Sequence, residues 1–591
     1  MDVSVKRWSM IRPAQDTPKE RQWISNLDVV MTTYHLPLLF FYKPNGASDF
    51  FKPQVLQEAL SKTLVQFYPM AGRLGRDENG RLEILCNAEG VLWIEAETTS
   101  AMDDLDGFTP CSKLRKLVPT ADYSGDISSY PLIMAQVTTL KCGGVCLGIA
   151  THHTLTDGTT AFHFINSWSE MARSLPQISM PPLIDRTLLR ARVPPTPRFH
   201  HLEYDPPPSL NTSTSLGPNN HKPSTVSVFK ITQNQLNTLK AKSREHGNKT
   251  NYSTYTILAA YIWRCATKAR GLSYDQPTKL NMPTNGRPRL HPPLPSTYVG
   301  NTVFTASLIA LSGHLQSEPF VNTLERVHGT LKRMNNEYLR SAVDYLETLP
   351  DITVARREPD IYQCPNLRIN KWTRLSIYDA DFGWGRPIYM GPAHVVHEGK
   401  IYILSSPTDD GSLSLVACLQ TAHMKLFEKH LYEGLKWSMI RPAQDTPKER
   451  QWISNLDVVM TTFHAPLLFF YKPNGSSDFF KPQVLQEALS KTLVQFYLMA
   501  GRLGRDENGR LEILCNAEGV LWIEAETTSA MDDLDGFTRC SKLRKLVPTA
   551  DYSGDISSYP LMAQVTTLKC GGVCLGIATH HTWNNGLSFH Q

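Results

Sequence analysis

Val145-Cys-Leu-Gly-Ile-Ala-Thr-His152-His153-Thr-Leu-Thr-Asp157-Gly158 is the stretch on which the reading of this chain turns. An apolar run of strand length meets two His, then a polar turn closing on Gly158. Residues 159–173 follow, with Phe162, Ile165, Trp168 and Met171 at helical spacing. The imidazoles therefore sit at a strand end. Adjacent strand residues point to opposite faces, so His152 and His153 would not serve one centre, and a zinc site would need both plus a third ligand. No metal site is expected. Taken alone, the segment also fits a buried His with Asp157 as a helix N-cap. The functional alternative has Asp157 fixing the loop while His153, with an ordinary pKa near about 6.5, accepts a proton at neutral pH. Neither a Gly-x-Ser-x-Gly elbow nor a papain-type Cys motif accompanies it, so direct attack by a substrate is more economical than a covalent relay.

Around this stretch lie 591 residues, 41% apolar and 19% charged, enough for several packed domains. No apolar run approaches the roughly 18 residues that span a bilayer, so no membrane association is expected. A net charge of +5 without clustering gives no nucleic-acid footprint, and any anionic ligand must be met by a local pocket. Met1 to Met10 carry no apolar core or Arg-rich helix of a targeting segment, so the expected setting is cytoplasmic, and the expected state is a monomer. Eleven Cys without a CxxC pair suggest neither disulfides nor a zinc knuckle, and Cys142 and Cys146 read as strand residues. Gly72 to Gly80 imitates a phosphate loop, but no Gly-Lys-Ser/Thr follows, so a hairpin is expected there.

The chain repeats itself. Trp8 to Thr154 recurs as Trp437 to Thr582 with five substitutions and the loss of one residue where the first copy reads Pro131-Leu132-Ile133-Met134. The deletion should exchange inward and outward faces of the following strand unless a bulge absorbs it. Near identity of the copies fits a recent tandem duplication or a faulty gene model. The expected domains are a front lobe at 1–173, a Pro-rich crossover at 174–225, a rear lobe at 226–433, and a partial repeat of the front lobe at 434–591. Helices are expected at Pro53 to Val65 and Tyr255 to Lys268, a turn at Asp77 to Gly80, and strands at Thr302 to Ala310 and Ile401 to Ser405. Irregular alternation of these elements indicates an α/β (α+β) fold.

His152-His153-x-x-x-Asp157-Gly158, together with Asp381-Phe382-Gly383-Trp384-Gly385 about 225 residues later, resembles the BAHD family of plant coenzyme A-dependent acyltransferases. The His-x-x-x-Asp pattern by itself is weak; both motifs in this order are specific. Pro69 to Leu74, Pro293 to Asn301, Cys364 to Leu367 and Ser406 to Ser414 most resemble its hydroxycinnamoyl-CoA:shikimate/quinate branch. The resemblance covers residues 1–433. It implies two chloramphenicol-acetyltransferase-like lobes with the active site at their interface. It also implies acyl-coenzyme A as co-substrate, with no permanently bound cofactor, and a hydroxylated acceptor as the second substrate.

By that resemblance His153 is the general base and Asp157 is structural, paired with an Arg of the rear lobe, for which Arg287 is the candidate. Gly158 closes the same turn. Asp381, Phe382, Gly383, Trp384 and Gly385 would support the fold and the CoA channel away from the reacting atoms. In the shikimate-using branch an Arg meets the acceptor carboxylate, and Arg357 aligns there, although an ordinary surface Arg reads as well. The branch's Thr-x-Trp triplet appears as Asn370-Lys371-Trp372, keeping Trp372 but not Thr. Leu38 and Phe40 stand where the branch has polar residues, while His35 and Pro37 match it. That weakens selection for a polyhydroxylated acid, because such selection rests on paired hydrogen bonds. Two other readings stay open: N-hydroxycinnamoyl transfer to a polyamine or aromatic amine, which would call for acidic groups in the pocket, and a non-catalytic BAHD-like binding protein. In the repeat the motif reads His580-His581-Thr-Trp-Asn-Asn585-Gly586, an amide replacing the carboxylate, so 434–591 is expected to be inactive.

Overall fold

Val145–His152 forms a strand whose every residue is buried, because both faces of its sheet are covered. Leu147 and Ile149 face one apolar cluster with helices Pro53–Gln66 and Gly158–Ala172, and Cys146 and Ala150 face another with Leu105, Leu114 and Leu117. At Gly148 a Cβ would stand 1.9 Å from the Leu117 carbonyl oxygen, so this close approach admits only glycine. The computed structural model describes all residues except 32–33, 211–222, 245–249, 357–358, 408–409, 434–436, 455–463, 477–478, 528, 535–540, 549–558 and 581–591.

The front sheet runs, in spatial order, Val3–Ile11, Val91–Thr98, Ile133–Thr139, Val145–His152, His35–Tyr42 and Tyr389–Pro392. Only the Val91–Thr98 and Ile133–Thr139 pair is parallel. The rear sheet runs Val303–Leu311, Pro277–Asn285, Leu367–Lys371, Lys400–Ser405, Leu413–Gln420 and Ser224–Ile231. Leu367–Lys371 lies parallel to both its neighbours there, and the remaining pairs are antiparallel. The fold is mixed α/β. Tyr389–Pro392 comes from the rear half of the sequence yet pairs with His35–Tyr42, so the front sheet is completed by a strand almost 350 positions downstream.

Phe382 explains how that strand is held. Its buried ring meets Trp168 edge-on at 4.9 Å and lies 6.1 Å from Phe51, while Trp384 packs on Phe51 at 5.0 Å. Asp381 accepts hydrogen bonds from the backbone of Gly383 and Gly385, whose φ of +104° and +105° a side chain would strain. Within residues 174–210 the chain makes only 3-10 turns at Arg186–Leu189 and Leu202–Tyr204 and one bridge between Leu183 and Tyr298. Cys142, expected in a strand, lies instead in the exposed turn before it; Cys146 is within the strand. No described helix is long and apolar enough to cross a membrane.

Two compact units divide the chain, Met1–Gln233 with Tyr252–Glu428, and Asn234–Asn251 with Lys429–Gln591. The second contains a sheet in the order Trp437–Ile440, Val520–Glu526, Leu561–Thr567, Val573–His580 and His464–Tyr471. The expected exchange of strand faces does not occur. Leu561 pairs with Thr579 as Ile133 pairs with Thr151, and Met562 with Ala578 as Met134 with Ala150. Pro560 takes the place of Leu132 as acceptor for the His580 amide, so the missing residue is absorbed in the loop ahead of the strand. Burial of both faces punishes a slipped register more than a shortened loop.

Candidate active site

Beyond the strand end at His152 the two imidazoles part. His152 is buried against the rings of His35 and Tyr130, whereas His153 is half-buried and lines a cavity of about 320 Å³. The front lobe contributes Leu38, Asp157 and Gly158 to its wall, and the rear sheet and the turns around it contribute Asn285, Asn370 and Trp372. The Nδ1 of His153 lies 3.1 Å from the Thr156 carbonyl. A carbonyl only accepts, so Nδ1 carries the proton and Nε2 is the basic nitrogen of the neutral ring. His35 also lines the cavity, but its ring nitrogens engage the Tyr123 hydroxyl and the Pro131 carbonyl, each at 2.7 Å. Burial, against that carbonyl, pushes its pKa down to about 4.

The His153 peptide is anchored from both lobes. Its N–H donates to the Tyr34 carbonyl at 3.4 Å, and its carbonyl accepts from Asn301 Nδ2 at 2.9 Å. Asn301 is itself held by Asp28, which accepts from its backbone and side chain at 2.8 and 2.9 Å. Asp28 in turn lies 3.2 Å from Arg186, with both side chains fully buried.

Asp157 caps the helix Gly158–Ala172 by accepting from the Thr160 amide at 2.9 Å. The same carboxylate receives Arg287 from the rear lobe at 2.6 and 3.1 Å and the Thr302 amide at 3.0 Å. Burial alone would raise its pKa; the charge and hydrogen bonds of Arg287 and the two amides more than offset this and hold it below the usual carboxylate value. The guanidinium also donates to the carbonyls of Tyr298 and Gly300, each at 3.0 Å, so the pair is buried with its hydrogen bonds largely met. A Cβ at Gly158 would come within 3.0 Å of Leu375 Cδ1 at the cavity wall.

Among the other residues singled out from sequence, Leu38, Asn370 and Trp372 line the cavity, with Trp372 between Phe162 and Tyr402. Phe40 does not; it is fully buried beside Phe162, in the packing beneath the site. Arg287 reaches the wall only through Asp157, Asp381 to Gly385 are not lining residues and pack instead against Phe51 and Trp168, and Arg357 lies outside the described residues.

A profile of the Transferase family matches residues 1–434 and again residues 433–591. The chain belongs to the BAHD acyltransferase family. Over 435 residues it is 52% identical to shikimate O-hydroxycinnamoyltransferase of Nicotiana tabacum, covering 73% of this chain and 100% of the relative. A hydroxycinnamoyl-CoA:5-hydroxyanthranilate N-hydroxycinnamoyltransferase of Avena sativa is 47% identical, covering 73% of this chain and 99% of its own length. Among solved structures, vinorine synthase aligns with a TM-score of 0.57 at 20% identity over 73% of this chain and 98% of the other, a likeness of fold. This BAHD chain is thus an acyltransferase with chloramphenicol-acetyltransferase-like lobes, and acyl-coenzyme A is the family's co-substrate.

Asn301, Arg368 and Lys400 are the wall and anchor residues that sequence reasoning missed. Asn301 ends a segment that carried the family resemblance, yet nothing in its spacing tied it to His153. Arg368 and Lys400 lie on the separate strands Leu367–Lys371 and Lys400–Ser405, and only strand register brings them together.

Proposed function

We propose that this enzyme moves a hydroxycinnamoyl group from coenzyme A to a hydroxyl of shikimate, quinate or a related acceptor. His153 Nε2 takes the hydroxyl proton as the oxygen attacks the thioester carbonyl. The carbon–sulfur bond then breaks, and the leaving thiolate takes the proton back from the imidazolium. Asp157 and Arg287 act as positioning residues, clamping the loop that presents His153 to the rear lobe. The observation that carries this reading is the Nδ1–H of His153 committed to the Thr156 carbonyl at a cavity wall. The 52% identity to a shikimate O-hydroxycinnamoyltransferase supports the choice of acceptor.

The relative that acylates 5-hydroxyanthranilate supports a second reading, transfer to an amine. A polyamine fits poorly, because Asp157 is the one acid among the described lining residues and it is taken by Arg287. Incubating the full chain with p-coumaroyl-CoA and, in parallel, shikimate, quinate, spermidine and tyramine separates these readings. The ester with shikimate or quinate is expected; an amide as the main product overturns the O-acyl reading, and no product from any acceptor favours the non-catalytic one.

A further inference from the structure

His464–Tyr471 in the second unit repeats His35–Tyr42 of the first with one substitution, Ala465 for Leu36. The two strands differ in what lies beside them. His35–Tyr42 is flanked by Val145–His152 on one edge and Tyr389–Pro392 on the other, whereas His464–Tyr471 pairs with Val573–His580 and ends its sheet among the described residues. The chain carries a single Tyr389–Pro392, and the front sheet holds it. The surface left beside the repeated strand is apolar. Phe469 and Tyr471 are 41% and 37% exposed, while their counterparts Phe40 and Tyr42 are buried. Next to them the rings of Tyr471 and Phe480 border a hollow at the place where Trp384 packs on Phe51 in the first unit. An apolar sheet edge invites another strand, and charge commonly guards it, as Lys6 and Arg7 do on Val3–Ile11 at the far edge of the front sheet. His464–Tyr471 carries no Lys, Arg, Asp or Glu.

We infer that two copies of this chain associate through their repeats, the outer edges of His464–Tyr471 pairing antiparallel about a two-fold axis. The first unit fixes which backbone groups this edge directs outward, because there the Pro37 and Phe41 carbonyls accept from the Ala393 and Ile388 amides at 3.1 and 2.8 Å. Alternate residues of a strand aim their bonds to one side, so Leu39 shares that direction, and Pro466 and Leu468 hold the matching places in the repeat. With Leu468 on the axis, the two Leu468 residues exchange a pair of N–H···O bonds, and Pro466, which lacks an N–H, needs only to accept. Leu467 then stands across from Phe469 of the second copy, an apolar cross-strand pair formed twice. Identical edges paired antiparallel are self-complementary, so the contact closes at two chains instead of propagating. The first unit offers no such edge, because Tyr389–Pro392 occupies it.

Sedimentation velocity of the full chain at tens of micromolar should show a particle of twice the chain's mass; a single chain per particle at that concentration overturns the inference. Phe469→Lys puts an ammonium where Leu467 of the second copy packs, and it should raise the dissociation constant about tenfold or more with the circular dichroism spectrum kept. A dissociation constant that this substitution leaves unmoved places the interface elsewhere and refutes the pairing. A second variant decides should Phe469→Lys lose the fold of the repeat. Leu467→Cys combined with Phe469→Cys sets thiols opposite each other in non-hydrogen-bonded pairs, with Cα atoms about 4.5 Å apart, so mild oxidation should give a covalent dimer that neither single substitution yields. A dimer that forms without this cross-link contradicts the register and overturns the inference, and it would assign the edge instead to the Asp381–Pro392 segment of the second copy.

Discussion

Replacing Asp157 by Asn keeps the shape of the cap and removes one charge, so it isolates what the ion pair with Arg287 contributes. Arg287 is 2% exposed and its Nη1 lies 2.6 Å from Asp157 Oδ2, with Thr302 and Thr160 donating to the same carboxylate. An amide in that place leaves a buried guanidinium without a counter-charge, which costs about 3 to 5 kcal/mol. Arg287→Met should cost a similar amount by leaving the carboxylate bare. The double variant removes both charges, so its loss should fall short of the sum of the singles by about 1 to 3 kcal/mol. Urea unfolding of the four proteins, followed by circular dichroism at pH 7, measures the cycle. Losses that add to within about 0.5 kcal/mol would mean the two side chains are energetically independent and would refute the clamp. The pH dependence has a fixed sign. Because the folded-state pKa of Asp157 lies below its ordinary value of 3.8, its contribution is present above that value and disappears as pH falls through the folded one. The stability gap between the native chain and Asp157→Asn should therefore hold from pH 7 to about 5 and narrow below about 4.

Removing the anchor at Asn301 by Asn301→Ala frees the His153 carbonyl, and kcat should fall about tenfold or more with the KM for p-coumaroyl-CoA unchanged; a change in KM alone would contradict this. In the repeat, His581→Ala should leave the full chain's rate unchanged, since Asn585 offers no carboxylate to an arginine; a tenfold loss would show a working second site.

Local pattern carried much of the fold. The helix read at Pro53 to Val65 is Pro53–Gln66, and that at Tyr255 to Lys268 is Thr254–Arg270, because apolar spacing and flanking Ser253 and Gly271 mark such helices directly. Thr302 to Ala310 and Ile401 to Ser405 likewise lie within strands Val303–Leu311 and Lys400–Ser405. What escaped was non-local. Tyr389–Pro392 is four residues long, too short to show a period, and its partner strand is far away in sequence. Phe40 illustrates the limit at the site. Leu38 and Phe40 share a face of His35–Tyr42, but the cavity reaches only the first and the helix carrying Phe162 covers the second. The opposition of Arg368 and Lys400 depends on register between parallel strands, which composition and periodicity leave undetermined.

The central claim is that His153 moves the acceptor's proton, and its most direct test is the single-turnover rate of His153→Ala with p-coumaroyl-CoA and the preferred acceptor. The rate should drop about 10² to 10⁴-fold while circular dichroism and the affinity for p-coumaroyl-CoA stay those of the unaltered chain. An undiminished rate with every acceptor would contradict the account.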